Sequence, residues 1–219
     1  MNDPGAAESL REQMDRIYRD LALEEIPWNL ERPPRKLVEL VESGRILPCR
    51  AVDLGCGAGN YAVWLAARGF DVTGVDLSSK ALELAERLAR EKGVPCRFVR
   101  VDLLGDVSAF EAAFDFAYDW EVLHHIFPEE RLRYAANVYR MVRPGARYLS
   151  VSFSEKDVSR FGGEGKYRTT PLGTRLYFSS EQELRELFEP LFEVEELSTV
   201  EIVGKRGPHM AVQAILRRA

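Results

Sequence analysis

The chain has 219 residues, 46% of them hydrophobic and 30% charged, with a formal net charge of -5. These values are typical of one large globular domain and argue against a disordered or membrane-spanning chain. The acidic balance disfavours nucleic acid as a partner, because phosphate neutralisation requires a basic surface. Three cysteines without CxxC spacing, and the lack of an apolar signal core or membrane-length run, predict a cytoplasmic protein without a membrane partner.

Residues 1–46 are predicted to form a helical cover at the N-terminus. Residues 1–7 have the composition of a frayed end, and from Glu8 a stripe of apolar residues indicates a helix that ends before Pro27. The stripe consists of Leu10, Met14, Ile17 and Leu21. A second helix is predicted from residue 33 to Gly44, because proline favours the first turn of a helix and glycine the position after its end.

Strands alternate with helices over residues 47–153. The strand-like runs are CRAVDL, DVTGVDL, CRFVRVD, FDFAYDW and ARYLSVSF. This alternation indicates βαβ units and a parallel sheet with helices on both faces, which is the α/β class.

The C-terminal part of the chain follows a different pattern. Residues 154–178 form the longest stretch without a clear period and are predicted to be an irregular insertion on the substrate face. Residues 179–219 contain a predicted helix, SSEQELRELFEP, and two strand-like runs, FEVEELSTVEIV and MAVQAILRR, joined by GKRGPH. So short a connection predicts a hairpin whose last strand is antiparallel. The four regions together are predicted to form a single domain.

The run AVDLGCGAGNY, residues 51–61, places glycines at alternate positions after a predicted strand. A dinucleotide fingerprint, G-x-G-x-x-G, requires a third glycine where the chain has Asn60, counted from Gly55, or Ala62, counted from Gly57. A G-x-x-x-x-G-K-[ST] phosphate loop is also missing. The D-x-G-x-G-x-G pattern instead suits a ligand without phosphate.

Acids follow the first three strands. Asp53 precedes the glycines, where it can offset positive charge on a ligand such as S-adenosylmethionine. Asp76 closes the second strand and is expected to accept hydrogen bonds from both ribose hydroxyls. Asp102 closes the third strand and is expected to accept from the adenine amine, with Leu103 against the ring. Each acid alone is commonly a turn residue, but their joint placement favours an S-adenosylmethionine site.

From Cys49 to Phe153 the chain resembles the class I S-adenosylmethionine-dependent methyltransferases. The matching runs are DLGCGAG, GVDLS, VRVDLL, FDFAYDWEVLHHI and MVRPGARY. The resemblance implies a Rossmann-like sheet of seven strands in the order 3-2-1-4-5-7-6 with the last strand antiparallel. It also implies a set of cofactor contacts, namely Asp53, Gly55, Cys56, Gly57, Asn60, Asp76, Leu77, Asp102 and Leu103.

The exit of the fourth strand, YDWEVLHHIF, is predicted to face the cofactor methyl group. Asp119 and Trp120 are expected to flank the methionine part, Glu121 and His124 are the candidate catalytic groups, and His125 is a candidate substrate contact. Neighbouring histidines on a helix are not expected both to face one ligand. No third residue supplies a metal-site spacing, so no metal is predicted. The absence of a [DN]-P-P-[YF] motif here favours a small-molecule acceptor over nucleic-acid bases.

The segment IPWNLERPPRKLVELVESGRI is similar to the corresponding segment of the thiopurine and small-thiol methyltransferases, although Glu31 stands where that family usually has glycine. The similarity implies that Trp28 lies over the cofactor, where its indole face can meet a sulfonium by cation–π attraction. Tyr18, on the preceding helix, is a candidate contact for the methionine carboxylate.

The acceptor is expected to lie between residues 154–178 and the final hairpin. The insertion is locally basic, and glycines within it would let it move; these residues are Arg160, Lys166, Arg168, Arg175, Gly162, Gly163 and Gly165. The hairpin turn places Arg206 and His209 opposite. Arg168, Arg206 and His209 are therefore predicted substrate contacts forming a basic rim, which favours an anionic acceptor.

The chain is thus predicted to be a methyltransferase that uses S-adenosylmethionine, without a metal, on a small molecule. A thiol acceptor is favoured, because thiols are partly ionised at neutral pH and no general base is evident. A hydroxyl acceptor would need Glu121 or His124 as base. O- or N-methylation of a phenol, carboxylate or amine, and non-catalytic binding of S-adenosylmethionine or S-adenosylhomocysteine, remain alternatives. A monomer or homodimer is expected.

Overall fold

The computed structural model describes residues 9–158 and 162–219, apart from the side chains of residues 162–164. Its helices are α1 (Leu10–Asp20), α2 (Arg35–Glu42), α3 (Asn60–Ala66), α4 (Ser79–Lys92), α5 (Pro128–Met141) and α6 (Glu181–Phe188). Its strands are β1 (Arg50–Leu54), β2 (Asp71–Asp76), β3 (Cys96–Arg100), β4 (Phe114–Trp120), β5 (Val142–Phe153), β6 (Gly162–Glu164), β7 (Tyr167–Thr169), β8 (Arg175–Tyr177), β9 (Glu193–Gly204) and β10 (Gly207–Arg217). None of the helices in these described ranges is long and apolar enough to cross a membrane.

Seven strands form the main sheet in the order β3-β2-β1-β4-β5-β10-β9. Strands β1 to β5 pair in parallel, whereas β10 is antiparallel to both β5 and β9. When β9 and β10 are counted as the sixth and seventh strands, this is the predicted order, and the predicted fold class is confirmed. The division of the chain into one domain with four regions stays a prediction.

Both faces of the main sheet are buried, as a parallel sheet requires. Val52 and Leu54 of β1 belong to a cluster with residues of α5 and α6, while Ala51 belongs to a second cluster with residues of α2 and α3. Alternate residues of one strand therefore supply both clusters. Their burial stabilises the sheet by roughly 25 cal/mol for each Å² of apolar surface.

Local side-chain chemistry determines where the helices begin. Ser9 and Glu12 form a capping box at α1, and Ser180 and Glu183 form one at α6. Ser78 accepts a hydrogen bond from the backbone of α4 and caps it. Each cap satisfies amide groups that have no partner within their helix.

The first helix is shorter than predicted. It ends at Asp20 and does not continue toward Pro27, and Glu8 lies outside the described residues. The Glu25 carboxylate accepts the backbone N–H of Ala22 at 3.0 Å and so removes a donor that a continued helix would use. Residues 21–30, called the cover segment below, run as turns over the main sheet instead.

Residues 154–178 are more regular than the sequence predicts. Strands β6, β7 and β8 form a small antiparallel sheet. Each strand has only three residues, so no two-residue period is long enough to be recognised. Tertiary contacts stabilise the sheet, because the rings of Tyr167 and Tyr177 lie 5.0 Å apart and that of Phe127 packs on Tyr167.

Strands β5, β9 and β10 also extend beyond their predicted ends. Pairing of β9 with β10 continues to Gly204 and Gly207, so the six-residue connection is a tight turn around Lys205 and Arg206. Strand β5 begins at Val142 and includes a register shift next to β4. Gly145, with φ of 82°, allows the backbone conformation that this irregular part requires.

The loop after β1, residues 55–59 and called the glycine loop below, packs closely on α4 at Gly59. Gly59 has a φ of +81°, and an added Cβ would lie 2.7 Å from Cβ of Ala85. Gly93 has a φ of +65° with nothing within 4 Å of an added Cβ. We expect Gly93→Ala to lower the free energy of unfolding by about 1 kcal/mol for strain alone, and Gly59→Ala by about 3 kcal/mol because overpacking adds to it. Urea unfolding measures both, and equal losses would contradict the packing argument.

Candidate functional site

A cavity of about 550 Å³ lies at the carboxyl edge of the main sheet. It is bounded by the loop after β1, the ends of β2 and β3, the turn after β4, the cover segment and the tip of the β9–β10 hairpin. Its volume is in the range of small-molecule sites. The main sheet therefore brings together segments that are far apart in sequence.

The glycine loop approaches its neighbours so closely that only glycine fits. A Cβ added at Gly55 would lie 2.5 Å from Cγ2 of Val122, and one at Gly57 would lie 2.5 Å from the hydroxyl oxygen of Tyr18. Both glycines also have positive φ, 70° and 53°. Close approach of backbone to the cavity is thus built into this loop.

Two of the predicted acids line the cavity while holding turns in place. Asp76 accepts the backbone N–H groups of Gly57 and Ser78, each at 2.8 Å. Asp102 accepts the N–H of Leu104 at 2.9 Å. Both residues line the cavity. Each carboxylate retains acceptor capacity for ligand donors, because an ionised carboxylate has about four lone-pair positions.

The end of the cavity formed by β1, β2 and β3, called the cofactor end below, favours a positively charged ligand because its carboxyl groups are buried. Burial raises the pKa of Asp53 to about 7 and also raises the pKa of Asp76. Asp53 is 3% exposed, and its Oδ2 has no hydrogen-bond partner. A cationic ligand would stabilise these carboxylates in their charged form. These residues therefore fit a sulfonium-bearing cofactor.

Two aromatic residues line the cofactor end, Trp28 from the cover segment and Tyr18 from α1. Trp28 Nε1 donates to the hydroxyl of Tyr18 at 2.9 Å, and Asn60 donates to Asn29 at 2.8 Å. Trp28 is thereby held at the cavity by a partner on α1. The other predicted cofactor contacts that line the cavity are Gly55, Cys56, Gly57, Leu77, Leu103 and Trp120.

Asp119 does not belong to the cavity lining, which corrects the expectation that it flanks the methionine part. Its side chain is 0% exposed and lies on the α5 side of the sheet, where it accepts the hydroxyls of Tyr134, at 3.2 Å, and Tyr148. Burial raises its pKa to about 6. Successive side chains of a strand point to opposite faces, so Asp119 and Trp120 could not both face the cavity from a regular β4.

Glu121 and His209 form a pair at the other end of the cavity. His209 Nε2 lies 2.6 Å from Glu121 Oε1, and both side chains are 12% exposed. The backbone of Glu121 is left-handed, with φ of 65°. Such strain in a residue other than glycine costs about 1–3 kcal/mol and is concentrated at functional sites. The sequence predicted both residues near the acceptor, but not their contact, which joins β4 to β10.

The pair alters the protonation of His209. Burial alone lowers the pKa of His209, but the hydrogen bond and charge of Glu121, the charge of Asp157 and a hydrogen bond to the backbone of Gly207 outweigh it. The pKa therefore lies above its usual value of 6.5. The contact with His209 holds the Glu121 carboxylate at the cavity, which both residues line.

His124 and His125 both line the cavity, and that the two do not face one ligand stays a prediction. They lie in a 3₁₀ turn, Leu123–His125, with ring centroids 4.6 Å apart. Burial lowers the pKa of each, that of His125 to about 4. Both are neutral at pH 7. Within the described ranges no three side chains are grouped as a metal site would require.

Arg168 is not a wall of the cavity, which corrects its predicted role as a substrate contact. Its Nη1 donates to the carbonyl of Asp157 at 2.6 Å, and its guanidinium lies 4.0 Å above the ring of Phe178. Arg206 and His209, in contrast, line the cavity as expected.

The other described cations that make the insertion locally basic are engaged elsewhere. Lys166 pairs with Glu155 and Glu183 at 2.9 and 2.6 Å. Arg175 lies 4.6 Å above the ring of Tyr167. Arg160 lies outside the described residues. The described part of the insertion therefore provides no basic rim.

The apolar wall around Glu121 and His209 was not identified from the sequence. The ring of Phe153 lies 4.7 Å from that of His209 and packs with Leu176. Ile126, Phe127 and Pro171 also line the cavity, whereas Leu172 lines it from the side of α1 and the cover segment. These residues come from three separate parts of the chain, and no local pattern connects them. One of these residues could have been found from the sequence. Phe153 is the last residue of β5, as Asp76 is the last residue of β2, and the carboxyl ends of parallel strands meet at one edge of the sheet.

Comparison with known proteins agrees with this geometry. Residues 51–145 match the family model described as "Methyltransferase domain". The chain is 28% identical over 152 residues to the 2-heptyl-1-hydroxyquinolin-4(1H)-one methyltransferase of Mycobacteroides abscessus, covering 68% of this chain and 66% of the relative. It is 28% identical to the ubiquinone biosynthesis O-methyltransferase of Photorhabdus laumondii, covering 71% and 65%. The chain thus spans just under two thirds of the length of these curated relatives.

A solved structure described as "Conversion of a Disulfide Bond into a Thioacetal Group during Echinomycin Biosynthesis" matches with a TM-score of 0.79 and 26% identity, over 96% of this chain and 92% of the other. Strand order, the glycine loop, the placement of the acids and the matched domain agree with one another. Over residues 51–145, and in its fold, the chain is similar to the class I S-adenosylmethionine-dependent methyltransferases.

Proposed function

We propose that the protein transfers the methyl group of S-adenosylmethionine to a hydroxyl group of a small, uncharged and largely apolar molecule. The observation that carries this proposal is the Glu121–His209 pair at the apolar end of the cavity. From the sequence alone a thiol is favoured, because no base is evident. A carboxylate oriented by an imidazolium supplies the base that a hydroxyl acceptor needs.

The residues at the other end would hold the cofactor. Asp76 would accept from the ribose hydroxyls, Asp102 from the adenine amine, and Trp28 would cover the methyl-bearing sulfur. When bound, S-adenosylmethionine supplies an electrophilic methyl group. The protein would contribute alignment and exclusion of water, effects that lower barriers by up to about 7–11 kcal/mol.

Glu121 would accept the proton from the acceptor hydroxyl while that oxygen forms its bond to the methyl carbon. The sulfur–carbon bond breaks in the same displacement, and its electron pair stays on sulfur. His209 would hold the carboxylate and stabilise its charge before the proton arrives. His124 and His125, both neutral, would offer polar contacts without repelling a neutral acceptor.

The charge of the cavity lining favours an uncharged acceptor over the anionic one expected from the sequence. Five acids line it against Lys205 and Arg206; they are Asp53, Asp76, Asp102, Glu121 and Glu130. At the acceptor end the charge of Glu121 is compensated by His209, so this end offers little net positive charge to attract an anion. The name of the relative from Mycobacteroides abscessus refers to a hydroxylated heterocycle with an alkyl chain, which is the chemistry that such a cavity suits.

A thiol acceptor is the second candidate. It is supported by the structural match over 96% of the chain to a protein whose description concerns sulfur chemistry, and by the sequence resemblance of residues 26–46 to the thiopurine and small-thiol methyltransferases. A thiol would make little use of the base. Variants of Glu121 therefore separate the two candidates.

Asp102 and Asp106 form a matched pair for testing the cofactor end. Each accepts an N–H two residues ahead at 2.9 Å, but only Asp102 lines the cavity. We expect Asp102→Ala to weaken S-adenosylmethionine binding by about 1.5–3 kcal/mol, the usual value of a hydrogen bond to a charged group. Asp106→Ala should leave the affinity unchanged. Calorimetry measures both, and equal losses would show that turn stability is the cause.

Glu121→Gln tests the base. With hydroxyl acceptors we expect kcat to fall by about 10²–10⁴-fold, the usual contribution of general-base catalysis. With thiols of similar size we expect a loss below about tenfold. Glu130→Gln is the control, because Glu130 also lines the cavity but pairs with Arg133. A loss below tenfold on the best hydroxyl substrate would refute the assigned base.

The raised pKa of His209 predicts a dependence of stability on pH. A histidine whose pKa is higher in the folded state stabilises the protein fully below its unfolded value, near 6.5, and this contribution disappears as the pH rises through the folded pKa. The difference in unfolding free energy between wild type and His209→Gln should therefore shrink from pH 6 to pH 9. Glu121→Gln should lower the pKa. A difference independent of pH would rule out the ion pair.

A further inference from the structure

Lys205, at the tip of the β9–β10 hairpin, contacts the cover segment across the cavity. Its Nζ donates to the carbonyl oxygens of Leu23, Ile26 and Asn29 at 3.1, 3.2 and 3.2 Å. An ammonium group has three N–H donors, so the three carbonyls use all of them. These residues are separated from Lys205 by 176 to 182 positions in sequence, and the contact joins two distant segments.

The three carbonyls lie in the cover segment, which is not helical. In a continued α1 the carbonyl of Ile26 would accept from Leu30, whereas Leu23 and Asn29 are followed at that distance by Pro27 and Pro33, which have no N–H. In the turns that replace the helix, several acceptors instead point toward the hairpin. Lys205 donates to all three, and Asn29 adds a donor to two of them, its side-chain amide to Leu23 and its backbone N–H to Ile26. The early end of α1 and this lysine are therefore parts of one arrangement.

Each side of the contact carries groups that face the cavity. Trp28 lies between two of the bound carbonyls and lines the cofactor end. On the other side, Gly204 lies against His209, since an added Cβ would be 2.9 Å from Cε1 of its ring. A shift of the hairpin tip would therefore move both the cover over the cofactor and the partner of Glu121.

We propose that Lys205 is a positioning residue that closes the roof of the cavity over the cofactor and holds His209 against Glu121. The proposal rests on the cofactor site and is independent of whether the acceptor is a hydroxyl or a thiol. Contacts that form after a ligand has entered act mainly on its dissociation. The cofactor product should then leave only when the three hydrogen bonds to Lys205 open.

Lys205→Met keeps most of the aliphatic side chain and removes the three donors. We expect S-adenosylhomocysteine to dissociate from it at least tenfold faster than from wild type, as measured by stopped-flow fluorescence. Lys36→Met is the matched control, because Lys36 also joins the N-terminal region to β9, through Glu196 at 3.2 Å, but does not line the cavity. This control should release the product at the wild-type rate.

A second readout separates positioning from general stability. The pKa of His209, followed by NMR, should fall in Lys205→Met as the contact with Glu121 loosens. An unchanged release rate, or equal acceleration in Lys36→Met, would overturn the role in closure. An unchanged His209 pKa would overturn the coupling to His209. If Lys205→Met does not fold, Lys205→Gln, which keeps two donors, should accelerate release by about threefold, and no acceleration would overturn the proposal.

Discussion

The contact between the glycine loop after β1 and the turn after β4 determines the geometry of the cavity. Val122 occupies the space where Gly55 would otherwise carry a side chain. Because β1 and β4 are neighbours in the sheet, this contact brings Glu121 to the loop that is expected to hold the cofactor. A larger residue at Gly55 would separate the two turns, and donor and acceptor would no longer share one space.

Charge is distributed unevenly in this space. The end formed by β1, β2 and β3 holds buried carboxyls whose pKa values are raised, and it therefore favours a cation. The other end contains the Glu121–His209 pair, whose charges compensate one another, within an apolar wall. One cavity thus has two ends with different ligand preferences, which suits the charged donor and the neutral acceptor proposed above.

The floor and the roof of the cavity differ in rigidity. The floor consists of strand ends in a sheet buried on both faces, and its opening would expose the hydrophobic core. The roof consists of turns and a hairpin tip joined by exposed or half-buried polar contacts, among them those of Lys205. Segments of this kind open at low free energy while the core remains intact. Ligand exchange through the roof therefore requires no change in the sheet.

The sequence by itself determined the parallel sheet and its final antiparallel hairpin, because these depend on local signals, namely strand–helix alternation and a short glycine- and proline-containing connection. The strand order followed from the family resemblance, and the place of the cofactor is a prediction from the glycines after β1 and the acids at successive strand ends. Asp76 and Asp102 could be assigned to one edge since parallel strands all end there. The tertiary structure alone decided that Glu121 meets His209, that Asp119 and Arg168 turn away, and that Lys205 reaches the cover segment. Each of these depends on a contact between residues far apart in sequence, on side-chain direction or on a backbone irregularity, and no pattern within a short window of residues encodes any of them.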